Sequence, residues 1–207
     1  MIREVPISVF PGLTSQLRVA KTLGSPGYVS DHFISLVPDL KGDQSITYGS
    51  GSCSGEEWTD TVTLSPDLVV VNQYITVASS SSGFSGVSGI LGLGPEDLTA
   101  GTLPNMPTET IPTIVDNLYI QEKIPEEVIG VYFIPSSTSS PGELTFGGYD
   151  STVVTSSVNY VPLTTTSPAS FYWGIDQSIT YGGSTILSST VGIVDTGTTL
   201  ILIASSE

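Results

Sequence analysis

The sequence predicts an all-β protein built from short antiparallel strands. Apolar residues make up 39% of the 207 residues and charged residues only 12%. Many of the apolar runs are rich in β-branched residues, and Gly, Ser and Pro separate these runs at short intervals. β-branched side chains pack well on a pleated sheet, and Gly and Pro favour the turns between strands. A chain of this length can bury a sizeable core, so we expect one large or two small folded domains.

The apolar runs also locate the individual elements. We predict strands at 45–48, 57–64, 68–71, 74–77, 87–93, 128–134, 143–146, 157–162, 172–175, 178–181 and 191–194. One helix is predicted at 112–121, because Pro112 suits a first turn and three apolar residues behind it share a face. Gly182-Gly183 predicts a hairpin turn, and residues 136–141 predict a polar surface loop.

The net charge of the chain is −15, with a pI near 4.1. Nucleic acid is therefore not expected as a partner, because binding phosphates requires a basic surface. An anionic membrane surface is excluded for the same reason. No run of 18 apolar residues occurs, so no transmembrane helix is predicted. This excess of acidic residues suits an acidic medium, because carboxylates that are protonated there repel one another less.

The N-terminal stretch differs from the rest in charge. Residues 1–41 carry one net positive charge, whereas residues 42–207 carry sixteen net negative charges. A basic N-terminal arm is one interpretation of this boundary, and sequence foreign to the rest of the protein is the one we favour. No secretory signal peptide is predicted, because the basic, apolar and small-residue regions do not follow in order.

Cysteine, histidine and metal chemistry are not expected. Cys53 is the sole cysteine, which excludes an intrachain disulfide and suits a small apolar filler. The sole histidine, His32, lies in the atypical stretch and is a poor base for a Cys/His enzyme. The acids are scattered without a Cys/His cluster, so we expect neither a zinc site nor another cofactor.

Asp195 has the most informative chemical context. Apolar Ile193 and Val194 lead to it, and Thr196 and Gly197 follow. Small residues let backbone amides and hydroxyls approach the carboxylate, and such hydrogen bonds stabilise its charged form. An Asp-Thr-Gly tripeptide by itself also fits an ordinary strand end with Asp in a turn, so its meaning depends on the rest of the chain.

Three other segments occur in a fixed order before this tripeptide. They are Tyr48-Gly49-Ser50-Gly51-Ser52, Ser88-Gly89-Ile90-Leu91-Gly92-Leu93-Gly94-Pro95 and Gly142-Glu143-Leu144-Thr145-Phe146-Gly147-Gly148. With them, residues 43–207 resemble the pepsin-like aspartic proteases. The segments resemble, in turn, the flap hairpin, the segment behind the first active-site loop and the strand near the lobe junction. Gly192–Thr199 resembles the second active-site motif. Tyr172-Trp173-Gly174-Ile175 and Ile186-Leu187-Ser188-Ser189 bring the chain nearest to the cysteine-poor basidiomycete enzymes of the polyporopepsin type.

The resemblance implies a pepsin-like bilobal acid protease fold, of which this chain holds an incomplete copy. Residues 1–41 are the atypical segment, 42–155 a partial N-terminal lobe with the flap, and 156–207 the start of the C-terminal lobe. The family hydrolyses peptide bonds with one Asp from each lobe, one as base toward a water and one as acid. The implied catalytic residue is Asp195. The implied substrate-binding residues are Tyr48, Gly49, Ser50, Gly197, Thr198 and Thr199.

The first Asp-Thr-Gly of the family pattern is missing from this sequence. The family has it before the flap, but residues 1–30 contain no Asp, and Asp31 is followed by His32 and Phe33. We therefore expect a chain truncated at both ends and inactive alone. Pairing of two copies, as in viral aspartic proteases, is not favoured, because the flap belongs with the missing Asp.

Three interpretations of function remain open. The first is part of a secreted aspartic endopeptidase, the second a non-catalytic peptide- or protein-binding relative with the same fold. A β-sandwich with chance motifs is the third, and the order of four motifs argues against it. The family resemblance further implies a peptide or protein substrate, an extracellular location and a monomer.

Overall fold

The computed structural model describes residues 37–49, 51–84, 89–134, 142–198 and 200–204. Within these ranges the chain forms seven strands and one α-helix. The strands pair with their neighbours in sequence, giving one three-stranded sheet and two two-stranded sheets, all antiparallel. The predicted all-β class is confirmed. The predicted loop at 136–141 and two predicted site residues, Ser50 and Thr199, lie outside the described residues.

The N-terminal sheet has the order β1-β2-β3. Its strands are β1 (Val37–Thr47), β2 (Ser52–Ser65) and β3 (Leu68–Ser82). Tyr48, Gly49 and Gly51 lie between β1 and β2, and the Pro66-Asp67 turn joins β2 to β3. Pro is suited to the second turn because its fixed φ matches the first central position of a tight turn. Strand β1 crosses the predicted domain boundary at residue 42.

The two strands predicted at 68–71 and 74–77 are a single strand, β3. Asn72 lies between them with a φ of 54°. Asn tolerates this left-handed conformation better than most residues, so it absorbs a local irregularity without ending the strand. The polar Asn72-Gln73 pair was therefore the wrong place to divide the apolar pattern.

The helix α1 (Ile114–Ile120) lies between the N-terminal sheet and the second sheet in sequence and packs on β3. The core that it completes contains Val70, Leu93, Ile114, Val115, Leu118 and Ile124. Leu118 and Val70 are fully buried. At roughly 25 cal/mol per Å² of apolar surface removed from water, such contacts dominate the stability of this half of the protein.

A capping box fixes the start of α1. The Thr113 hydroxyl accepts the Asp116 amide, and the Asp116 carboxylate accepts the Thr113 amide. These two bonds satisfy backbone donors that the first helical turn leaves without partners. The helix is where the sequence predicts it, but Pro112 precedes the cap and is not part of the first turn. The Thr-x-x-Asp spacing of the capping box therefore locates the start of the helix better than Pro112 does.

Two small sheets follow. Strands β4 (Ile129–Tyr132) and β5 (Glu143–Phe146) form the second sheet. Strands β6 (Gly174–Tyr181) and β7 (Ser184–Ile193) form the third. Gly182 and Gly183 join β6 to β7 with φ values of 57° and 81°, so the predicted glycine turn is confirmed.

Two predicted strands are wrong within the described residues. Residues 89–93 and 157–162 form no strand, although both contain apolar or β-branched residues. A strand requires a neighbour to pair with, and propensity alone does not supply one. In the first segment Gly89 and Gly92 further weaken strand formation, since glycine adds no side-chain packing. In the second, Tyr160 is 80% exposed.

Candidate active site

Asp195 lies two residues beyond the end of β7, at the open end of the third sheet. The last ladder pair is Gly174 with Ile193, and the Val194 amide then donates to the Trp173 carbonyl at 2.9 Å. Gly174 is required here because a Cβ would lie 2.3 Å from the Ala169 carbonyl oxygen. Trp173, which directly precedes β6, therefore holds the backbone of Val194 next to Asp195.

The Asp195 carboxylate is bonded within its own turn. Oδ1 accepts the Gly197 amide at 2.9 Å, and Oδ2 accepts the Thr198 hydroxyl. The Asp195 carbonyl also accepts the Thr198 amide at 3.4 Å. Both donors orient the carboxylate within the turn. Because each carboxylate oxygen has two lone pairs, both retain acceptor capacity for a water molecule.

Trp173 links this turn to the N-terminal half of the chain. Its indole Nε1 donates to the Leu93 carbonyl at 2.9 Å, across 80 residues of sequence. Leu93 is 4% exposed and belongs to the core cluster. The segment predicted to lie behind an active-site loop thus contacts the hairpin that carries Asp195.

The predicted flap residues Tyr48 and Gly49 lie in the turn between β1 and β2, in a different sheet from Asp195. The Tyr48 amide donates to the Gly51 carbonyl at 2.8 Å and closes the turn. Tyr48 is 6% exposed, and its ring meets the Phe84 ring edge-on, with centroids 5.1 Å apart. Tyr48 is thus packed against its own sheet in this structure.

A cavity of about 810 Å³ adjoins the Asp195 turn. Val194 and Thr196, on either side of Asp195, both line it, together with Trp173. Its remaining apolar wall comes from Leu93 and Val115 and from strand β4 and the residues flanking it. A cavity of this size, largely apolar with a few polar groups, has the character of a ligand site.

Carboxyl groups line another part of this cavity: Glu96, Asp97, Asp116 and Glu127. A hydrogen bond to the Asp116 side chain raises the pKa of Glu127 to about 7 from its ordinary value of 4.5. Partial burial and the negative charges of Asp116 and Glu96 act in the same direction. Glu127 therefore keeps its proton to a higher pH than an ordinary glutamate does.

The predicted site residues fall into two groups in the structure. Gly197 and Thr198 are brought directly to Asp195, whereas Tyr48 and Gly49 lie on another hairpin. Trp173 was not among the predicted site residues. Trp173 directly precedes a strand of the hairpin that leads to Asp195, but that position does not by itself place it opposite Val194.

The comparisons with known proteins agree with this geometry. A family model described as eukaryotic aspartyl protease matches residues 35–207, which is most of the chain. The chain belongs to the eukaryotic aspartyl proteases. The predicted family is therefore confirmed. The match begins ahead of the predicted boundary at residue 42, and the division into domains stays a prediction.

Several aspartyl proteases are similar to this chain. Polyporopepsin of Irpex lacteus is 60% identical over 164 residues, which cover 78% of this chain and 48% of that protein. Rhizopuspepsin-1 of Rhizopus niveus is 38% identical over 164 residues, which cover 77% of this chain and 39% of that protein. The predicted likeness to the polyporopepsin type is confirmed. The chain spans about half the length of the curated relatives it matches, or less.

A crystal structure of the aspartic proteinase from Irpex lacteus shares the fold, with a TM-score of 0.83 and 52% identity. The likeness covers 92% of this chain and 55% of that one. The pepsin-like fold is confirmed, and this chain contains part of it. These aspartyl proteases are named as proteinases or pepsins, and they give no support to a non-catalytic relative.

Two other features are absent from the described ranges. No helix there is long and apolar enough to cross a membrane. No group of three or more His, Cys, Asp or Glu side chains in the same ranges is arranged to hold a metal ion.

Proposed function

We propose that this chain contributes Asp195 to the active site of an aspartic endopeptidase. The observation that carries the proposal is the arrangement at Asp195, where an amide and a hydroxyl bond separate oxygens of one carboxylate. Such bonding orients the carboxylate and leaves both oxygens able to hold a water. In peptide hydrolysis by paired carboxylates, the ionised group takes a proton from the water as it attacks the scissile carbonyl.

The second carboxylate of such a pair is not supplied by another Asp-Thr-Gly, because the 207 residues contain only one. We therefore propose that the chain alone is inactive. The two carboxylates of a pair titrate as a unit and share one proton, so a single carboxylate cannot act as both base and acid.

The family membership supports a peptide or protein as the substrate. We propose that Tyr48, Gly49, Ser50, Gly197, Thr198 and Thr199 contact it. We further propose an extracellular location and a monomeric state. The strongly negative charge supports the absence of nucleic acid and of anionic membrane as partners.

A chimera tests the role of Asp195. Residues 43–207 replace the matching stretch of polyporopepsin, and casein hydrolysis is measured at acid pH with and without pepstatin. We expect pepstatin-sensitive activity that Asp195→Asn lowers by at least about 10²-fold, the lower end of what a positioned acid or base contributes. Asp67→Asn, in the exposed turn after β2, serves as the matched control and is expected to retain activity.

An active chimera that keeps its activity after Asp195→Asn would show that Asp195 is not catalytic. The purified 207-residue chain is assayed in parallel, with binding to immobilised pepstatin as a second readout. Pepstatin-sensitive hydrolysis by this chain, abolished by Asp195→Asn, would support the catalytic role of Asp195 but overturn the proposed inactivity of the chain alone.

A further inference from the structure

Two hydrogen bonds of Trp173 act on the turn that carries Asp195. The Trp173 carbonyl accepts the Val194 amide at 2.9 Å, one residue before Asp195. The Trp173 indole donates to the Leu93 carbonyl, also at 2.9 Å. One residue therefore fixes the backbone next to the carboxylate and ties it to the other half of the chain.

The attachment point on the far side is buried. The Leu93 side chain is packed into the same core cluster as Val70 and Leu118, which are fully buried. Its carbonyl lies in a segment that forms no strand, so no sheet ladder uses it. An indole has one polar hydrogen, and here that hydrogen is directed at this carbonyl.

The exposure of Trp173 argues against a purely packing role. Its side chain is 37% exposed, and it lines the cavity beside Leu93, Val194 and Thr196. A ring this exposed contributes less to stability through burial than the enclosed core residues do. What distinguishes Trp173 from those residues is its two hydrogen bonds, one with Val194 and one with Leu93.

We propose that Trp173 is a positioning residue for Asp195. The indole bond sets where the open end of the β6–β7 hairpin lies relative to Leu93, and the carbonyl bond transmits that position to Val194. The catalytic meaning rests on the proposed function, because a small misplacement of a reacting group lowers the rate strongly. The positional claim concerns hydrogen bonds of the chain itself and can be tested without substrate.

The test uses the full 207-residue chain and amide hydrogen exchange read by NMR. In Trp173→Phe, which keeps an aromatic ring but lacks the indole donor, we expect exchange at Val194 and Gly197 to rise about 10-fold. That corresponds to the net loss of about one hydrogen bond. The Gly197 amide resonance is also expected to move, because its acceptor is the Asp195 carboxylate. The Gln121 amide at the end of α1 is expected to keep its exchange rate.

Trp58→Phe is the matched control, since Trp58 lies in β2 and is the only other tryptophan. It is expected to leave the Val194 and Gly197 amides unchanged. A merely structural role for Trp173 would raise exchange at Gln121 together with Val194. Unchanged exchange at Val194 and Gly197 in folded Trp173→Phe would overturn the proposal.

The unsubstituted chain provides a measurement that does not depend on the variant folding. We expect the Trp173 indole proton to exchange about 10-fold more slowly than an open indole, again the effect of one net hydrogen bond. Exchange as fast as in an open indole would contradict the bond to Leu93. Because these readouts need no catalysis, failure of the chimera would leave them interpretable, and their failure would leave the role of Asp195 standing.

Discussion

Glu127 makes the stability of the protein depend on pH. Its pKa is about 7 in the fold and 4.5 ordinarily, so between these values the folded state binds more protons than the unfolded state. The free energy of unfolding therefore falls as pH rises from about 4.5 through about 7. We expect Glu127→Gln, whose amide can still donate to Asp116, to reduce this fall, as measured by urea unfolding at pH 4.5 and 7.5. Glu127 is mostly exposed, so solvent screens the effect.

Glu126→Gln is the matched control, because Glu126 is the exposed neighbour of Glu127. It is expected to keep the pH dependence of the unsubstituted chain. An equal fall in stability with pH in Glu127→Gln and in the unsubstituted chain would contradict the shared proton between Glu127 and Asp116. The direction of this dependence agrees with the acidic medium that the charge of the sequence predicts.

At the scale of elements, Gly55 sets the distance between β2 and β3. A Cβ at this position would lie 2.0 Å from the Val77 carbonyl oxygen and 2.7 Å from the Ala78 Cα. Both atoms are backbone, so Gly55→Ala must force the two strands apart. We expect it to destabilise the protein by about 1–3 kcal/mol, the usual cost of overpacking, as measured by urea unfolding.

Gly148→Ala is the comparison for Gly55→Ala. A Cβ at Gly148 would meet no atom within 4 Å. Its effect is expected to lie within about 0.5 kcal/mol of zero, as for most surface substitutions. Similar losses of stability in the two variants would argue against close approach of β2 and β3 as the reason for Gly55.

The elements that were predicted correctly are those determined by local sequence. The apolar face of α1 and the Gly182-Gly183 turn need only near neighbours to be recognised. The register of the β6–β7 hairpin could not be predicted from near neighbours. Counting outward from the turn pairs Trp173 with Gly192, but two irregularities between Gln177 and Thr180 shift the ladder, so that Trp173 meets Val194.

The contacts of the candidate site likewise divide into those that local sequence predicts and those that it does not. Gly197 and Thr198 were predictable partners of Asp195 because the turn brings them close whatever the rest of the fold does. The contact of Trp173 with Leu93 joins residues 80 positions apart, and no local pattern contains it. The strand predicted at 87–93 is absent over the described residues 89–93 for a related reason, since pairing depends on what lies beside a segment in space.

Across the protein as a whole, we expect the net charge to oppose association through exposed apolar side chains. Tyr160, Tyr181 and Ile201 are each at least 79% exposed. At pH 7 the net charge of −15 provides repulsion between copies, and near the pI of 4.1 this repulsion vanishes. We therefore expect light scattering to show reversible association that is greatest near pH 4 and absent at pH 7 in low salt.

Tyr160→Ser combined with Ile201→Ser is expected to weaken that association, because both side chains lie largely in solvent. Asp67→Asn, which changes the charge by one but no apolar surface, is the control and is expected to associate as before. A chain that stays monodisperse across pH 3–8 would contradict this account of the surface.

The bond between Trp173 and Leu93 has a consequence for the order in which the protein is made. The ribosome releases Leu93 80 residues ahead of the indole that binds its carbonyl. At about 5–20 residues per second, roughly 4–16 s separate the two residues during synthesis. When Leu93 is released the three-stranded sheet has already left the ribosome, and α1 follows before Trp173 does, so the indole cannot yet donate to the Leu93 carbonyl. The position of Asp195 is therefore defined only after the first half of the chain has had time to fold.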